Sequence, residues 1–260
     1  MKKILTKKEP EKSLLQPLKK TGGRNKKGRI TIRHRGGRVK RHYRLIDFGQ
    51  KRLEKGVVKA IEYDPNRTCY LVLLEYSNGS KSYILAPDGI KIGDEIIYND
   101  EAVLISPGNR LKLKNIPIGT FVYNVELEPG RGGKIARAAG NTCQVLAQEG
   151  KYTHLKMPST EIRKVLGECF ASIGQLSNPQ HRFQKLGKAG RARLKGKRPV
   201  VRGSAMSVSA HPHGSGEGRS GIGLKYPKTK WGKPALGIKT RKKKKWTNKY
   251  IISRRKHKKR

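Results

Sequence analysis

The chain has 260 residues, and its 61 Lys and Arg side chains face only 18 Asp and Glu, a formal net charge of +43 at pH 7. A compact domain of that charge repels itself in isolation, so the chain is expected to live against a polyanion, with nucleic acid the first candidate. Three widely spaced cysteines, Cys69, Cys143 and Cys169, argue against a zinc ribbon or disulfide framework and fit a reducing compartment, and no apolar run approaches the roughly 20 residues of a membrane span, so no membrane partner is expected.

The excess charge lies at the two ends. Residues 1–55 carry 20 basic and 4 acidic side chains, residues 56–105 carry 4 and 8, residues 106–180 carry 10 and 5, and residues 181–260 carry 27 and 1. A nearly neutral middle is framed by polycationic arms. The arms are rich in Gly, Lys, Arg and Pro and hold too few apolar residues to offset the entropy of ordering them, so a partner must supply their structure.

The first arm, residues 1–55, contains "GGRNKKGRITIRHRGGRVKRHYRLIDF" from Gly22 to Phe48. Arg24, Arg29, Arg33, His34, Arg35 and Arg38 recur among glycines. Glycine lets a backbone approach phosphate closely, while a guanidinium binds phosphate through two parallel bonds or stacks on a base. Such a mixture suits folded RNA better than a smooth duplex, because RNA is read by shape, stacking and irregular single strands. A solvated basic tail or a localisation signal is the plainer alternative, against which the arm's length and its interleaved His34, His42 and Tyr43 weigh.

The middle is where strand signals cluster. Strands are expected near Val57–Tyr63, Thr68–Tyr76 and Lys81–Leu85, separated by turn chemistry at Asp64-Pro65-Asn66 and Asn78-Gly79. "KIGDEIIYND" and "GTFVYNVELEP" continue the pattern, which suggests a small antiparallel barrel over residues 56–122. A second set of strands implies another small barrel over residues 123–186. There Cys143, Val145 and Ala147 are expected to face one way, Thr153, Leu155 and Met157 to do the same after the Glu149-Gly150 turn, and Glu161–Val165 follows another turn. Helix is scarce throughout.

Between the strand sets lies "EPGRGGKIARAAG". Its glycines and bases invite a nucleotide-phosphate reading, but Lys134 is followed by Ile135 where a P-loop requires a hydroxyl residue. Arg131, Lys134 and Arg137 are therefore read as a basic loop gripping an RNA backbone.

The last arm, residues 187–260, contains "SAHPHGSGEGRS" from Ser209 to Ser220. His211 and His213 have the i, i+2 spacing of a metal pair, yet the metallo-hydrolase pattern H-x-H-x-D-H needs Asp and His where Ser215 and Gly216 stand. Glu217 is the only carboxylate beyond residue 180, so no orienting carboxylate adjoins either imidazole. No catalytic residue and no resident metal are expected; Arg202, His211, His213 and Arg219 are read as RNA contacts. Magnesium enters only with the RNA, Glu217 serving to orient Arg219 or to meet a magnesium-bound water. The rival is a metal-dependent nuclease or hydrolase using His211, His213 and Glu217; a third reading is a free-standing nucleic-acid chaperone.

The blocks "GGRN..GRIT.RHRGG", "YDPNR", "YILAP", "EPGRGGKIARAAG", "LGKAGRAR", "RPVVRGSAM", "HPHGSGEGR" and "WGKPALG" together resemble the bacterial and organellar form of the universal large-ribosomal-subunit protein L-two family, in order and at natural spacing from about Gly22 to Arg255. The resemblance implies an oligonucleotide-binding-fold barrel followed by an SH3-like barrel, with both arms buried in large-subunit ribosomal RNA. It also implies a structural, non-enzymatic role in subunit assembly and association near the peptidyl transferase centre, with neighbouring ribosomal proteins and the small subunit as further partners. The histidine loop is implied to face that centre and to shape RNA. Two loop positions depart from the family pattern, Ala210 in place of an aspartate and Ser215 in place of a glycine, and the opening Pro-Thr-Ser-Pro-Gly-Arg segment of bacterial members is missing. "MKKILTKKEPEKS" has neither transit-peptide nor secretory character, so synthesis where the protein acts is expected. The divergent loop, the Lys- and Ile-rich composition and the "WGKPALG" tail point to an organellar ribosome, mitochondrion ahead of plastid, with the bacterial cytoplasm as the alternative.

Overall fold

Two short strands bracket the basic stretch of the first arm. β1 (Leu15–Pro17) and β2 (His42–Arg44) pair antiparallel with Gln16 opposite Tyr43, so residues 18–41 leave and return at one place. The structure, a computed structural model, describes residues 4–7, 9–49, 54–100, 105–219 and 221–255.

The apolar run that follows forms β3 (Lys55–Glu62), β4 (Leu71–Tyr76), β5 (Lys81–Leu85) and β6 (Glu95–Ile97), an antiparallel sheet of order β5-β4-β3-β6. The Asn78-Gly79 turn forms as expected: Gly79 takes φ +73°, and the Tyr76 N–H reaches the Ser80 carbonyl at 3.0 Å. Positive φ is what glycine supplies at no steric cost in such a hairpin. Both faces of this sheet are covered. Ala60, Leu71, Leu73, Tyr83 and Leu85 enter the larger core, while Val58, Val72, Leu74 and Ile96 form a smaller one behind it. Two-sided burial explains why β4 opens with four successive apolar residues, Leu71–Leu74, and does not alternate.

The second sheet collects β7 (Arg110–Lys112), β8 (Phe121–Tyr123), β9 (Cys143–Glu149), β10 (Tyr152–Lys156), β11 (Ile162–Leu166), β12 (Phe170–Ile173) and β13 (Ile251–Ser253) in the order β13-β11-β10-β9-β8-β12-β7. Leu111, Val122, Val145, Leu155 and Ile173 carry its side of the larger core. Each such side chain contributes about 1.5–3 kcal/mol by leaving water. Ala147 does not share the face of Cys143 and Val145. The register slips between His154 and Leu155, leaving Leu146 without a direct partner and setting Ala147 opposite His154, whereas Thr153 and Leu155 point into the core.

The N-terminal stretch is tied to the first sheet. Ile61 N–H donates to Thr6 Oγ1 at 2.8 Å, and Glu11 N–H donates to the Tyr83 hydroxyl at 2.7 Å, which itself donates to Glu62 Oε2 at 2.5 Å.

The chain divides into two compact units. The first takes the described residues within 1–18, 41–185 and 247–260, and the second those within 19–40 and 186–246. In the second unit the two arms pair with each other. Arg35 bridges Lys197, Gly36 N–H donates to the Gly196 carbonyl, Val39 N–H to Leu194 and Arg198 N–H to His34. α1 (Ala189–Leu194) is the one α-helix among the described residues. Gly196 is the only buried residue described in this unit, so no apolar side chain forms a core there.

Candidate nucleic-acid interface

In the first unit two motifs about seventy residues apart converge on the segment after β2. The Gly133 N–H donates to the Phe48 carbonyl at 2.9 Å, and a Cβ at Gly133 would lie 2.1 Å from Asn124 Oδ1, so only glycine permits this approach. Arg137 donates from Nη1 to the Gly133 carbonyl at 3.2 Å and sets its guanidinium 4.6 Å from the centre of the Phe48 ring. Arg67 lies 5.6 Å from the same ring and 5.2 Å from that of Tyr43. Cations and aromatic faces thus alternate in the series Tyr43, Arg67, Phe48, Arg137, an arrangement in which each ring's quadrupole attracts the neighbouring charge.

The two arginines differ in what remains available. Arg67 binds Asp64 Oδ2 at 2.6 Å and the Tyr43 hydroxyl at 3.1 Å, and Asp64 is fully buried, so this guanidinium is committed to the fold. Arg137 and Lys134 are exposed beside it. Arg131 is exposed too, paired with Glu128 at 2.8 Å, an ion pair of the kind that contributes little in water. Below the loop, Arg110 Nη2 meets Glu126 Oε1 at 3.0 Å with the side chains 6% and 0% exposed. Glu126 Oε2 accepts the N–H groups of Phe170 and Gly130, so a buried carboxylate anchors the start of the glycine-rich loop. Sequence reasoning missed Arg67 and Phe48. Arg67 stood in the "YDPNR" block, but its charge lay in the neutral middle, where composition gives no signal.

In the second unit Asn25 Oδ1 accepts the N–H groups of Lys27 and Arg29, both at 3.0 Å, and Arg24 bridges Ile30. The side chains of Arg24, Arg29, Arg33 and Arg35 are exposed, while His34, at φ +57°, and Arg38 are half-buried. Backbone pairing of His34–Val39 with Leu194–Arg198 brings the second half of this set beside the basic turn that follows α1.

The histidine loop is folded on itself. Arg202 precedes the turn Gly203–Ala205, and a Cβ at Gly203 would lie 2.5 Å from His211 Nδ1, so the imidazole packs flat on a glycine. His211 Nδ1 accepts the His213 N–H at 3.0 Å, and His213 Nε2 accepts the Lys228 N–H at 2.8 Å, with the rings edge to face at 4.8 Å. Backbone N–H groups therefore orient both rings in a loop that has Ala210, not a carboxylate, before His211. Ser215, Gly216, Glu217 and Gly218 all take positive φ, and the Arg219 N–H closes the turn onto the Gly216 carbonyl at 3.2 Å. Glu217 is exposed. Among the described residues, no three His, Cys, Asp or Glu side chains gather as a metal site would require, and no helix is long and apolar enough to cross a membrane.

Two family models match the chain. One, described as Ribosomal Proteins L2, RNA binding N-terminal domain, covers residues 11–98; the other, described as Ribosomal Proteins L2, C-terminal domain, covers residues 106–232.

Proposed function

The chain belongs to the ribosomal protein L2 family, a structural RNA-binding component of the large ribosomal subunit, and from that premise we propose how it holds ribosomal RNA. Its mainly β fold is that of the family, an oligonucleotide-binding-fold barrel and an SH3-like barrel. On our reading the barrels occupy residues 56–122 and 123–186 and fix position, while the arms, 1–55 and 187–260, thread between RNA helices. Arg24, Arg29, Arg33, His34, Arg35 and Arg38, then Arg131, Lys134 and Arg137, then Arg202, His211, His213 and Arg219 meet phosphates or bases. Each cation that meets a phosphate releases condensed counterions, so a fold that phosphate repulsion opposes becomes stable.

One observation carries this proposal. The second unit has 28 basic side chains against Glu217 alone and, among its described residues, encloses no apolar core, so its own burial does not offset the entropy of its ordered turns. A polyanion of fixed shape supplies what is missing. The same reading gives the chain no catalytic step: the histidine loop shapes RNA around the peptidyl transferase centre, and the protein supports subunit assembly and the joining of the small subunit. Its ribosome is organellar, mitochondrial ahead of plastid.

Gradient sedimentation of the tagged chain from its own cells tests the proposal. Comigration with large subunits at moderate and at high salt is expected, and a chain at the top of the gradient at moderate salt would refute it. Fractionation of organelles beforehand tests the compartment.

A further inference from the structure

We propose that Trp231 is a base-stacking finger that takes an unpaired RNA nucleotide. The inference rests on the RNA-binding reading above and adds to it a site and a ligand class. Residues 227–235 form a small hairpin: Lys228 bridges Pro234, the Thr229 N–H donates to the Lys233 carbonyl at 2.7 Å, and the Ala235 N–H to Pro227 at 2.8 Å. The reverse turn closes through the Gly232 N–H to the Thr229 carbonyl at 2.9 Å, with Gly232 at φ +76°. Trp231 therefore stands at a defined tip, and it is 70% exposed.

An indole 70% exposed at a hairpin tip leaves most of its ring surface available to a partner. No core of its own unit is available to take it, because no apolar side chain described there is buried. The tip's surroundings select the cover. Lys230 Nζ lies 4.7 Å from the indole centre, Lys225, Lys228 and Lys233 flank the turn, and no carboxylate occurs after Glu217. A flat apolar ring set among cations fits a nucleobase with its phosphates. Base and indole stack face to face while the lysines meet the backbone on either side. An unpaired base offers an open π-face, whereas a base within a duplex is already stacked on both sides. The bond from the Lys228 N–H to His213 Nε2 ties the base of the hairpin to the histidine loop, so RNA that orders the loop also sets where the finger starts.

The chain has two tryptophans, and replacing Trp246 by Phe leaves Trp231 as the sole indole reporter. Titrating this full-length variant with an oligouridylate, and separately with an RNA duplex of equal length, reads the stacking directly. Quenching by the single strand and much weaker quenching by the duplex are expected. Trp231→Ala should weaken single-strand binding about tenfold while leaving the slope of log K against log salt unchanged, because stacking is lost and no charge is removed. Trp231→Phe should restore most of the affinity. Salt-dependent binding without quenching, equal quenching by the duplex, or unchanged affinity of Trp231→Ala would each overturn the finger. Absence of salt-dependent binding to both RNAs would instead bring down the RNA-binding reading, and the finger with it.

Discussion

The imidazole of His213 holds the backbone of Lys228, Nε2 accepting its N–H at 2.8 Å across fifteen residues of chain. That one bond joins the histidine loop to the Trp231 hairpin, and the preceding peptide N–H of His213 itself holds His211. A histidine read from sequence as a metal ligand or an RNA contact thus has an internal structural duty as well. Replacing it by alanine removes an acceptor worth about 1 kcal/mol. In ribosome-bound protein, deuterium uptake by peptides spanning residues 225–235 should rise about fivefold in His213→Ala, with peptides from β9 and β10 unchanged. Unaltered uptake would mean that RNA alone holds the hairpin.

Arg67 and Arg137 lie on the same Phe48 ring but should respond to substitution in opposite ways. Arg67 compensates the fully buried Asp64, so Arg67→Gln leaves that carboxylate without its cation and should cost on the order of 2 kcal/mol in urea denaturation. Arg131, Lys134 and Arg137 are exposed, and changing all three to Gln should cost at most about 1 kcal/mol. The triple variant should instead flatten the dependence of log K on log salt by about 2, the sum of three lost phosphate contacts. An unchanged slope would remove these residues from the interface.

Local chemistry was readable from sequence and distant pairing was not. β5 lies where the Asn78-Gly79 turn puts it, because a tight hairpin fixes register within a few residues. Alternation alone puts Ala147 on the face of Cys143 and Val145, but a single bulge at Leu146 reverses it and nothing in the local pattern announces the bulge. β13 pairs with β11 across almost ninety residues, yet Ile251 and Ile252 sit in a polycationic stretch whose composition points to extended arm. In the candidate interface the exposed bases of the glycine-rich loop were legible from their spacing. The ring of Phe48 and the partner Arg67 became visible only once folding had brought three segments together.

Beneath that interface the buried Arg110–Glu126 pair should behave as a unit. Glu126→Gln keeps acceptor geometry toward Phe170 and Gly130 but leaves the Arg110 charge uncompensated, and about 3–5 kcal/mol of stability should be lost. Arg110→Met together with Glu126→Gln removes both charges and should recover part of the loss, because no unpaired charge remains buried. Urea denaturation of the two variants in parallel reads the difference. A double variant no more stable than Glu126→Gln would show that the bonds of Arg110 to the Asn124 carbonyl and Ser172 matter more than the charge.

The three thiols provide a clock for the opening of the first unit. Burial pushes Cys69 up to about 11 and Cys143 and Cys169 up to about 12, so at neutral pH each thiol is both protonated and shielded. The thiolate is the nucleophile, so a disulfide reagent should react with the native chain only through unfolding. Cys69 is the informative one, because its Sγ reaches the Arg137 carbonyl at 3.6 Å and lies directly under the glycine-rich loop. If that loop and the barrels open as one cooperative unit, all three cysteines should label at a common rate equal to the loss of far-ultraviolet circular dichroism. Mass-resolved labelling that marks Cys69 ahead of Cys143 and Cys169 would instead show that the loop opens alone, and that Arg137 and Phe48 are assembled on a segment less stable than the sheet beneath them.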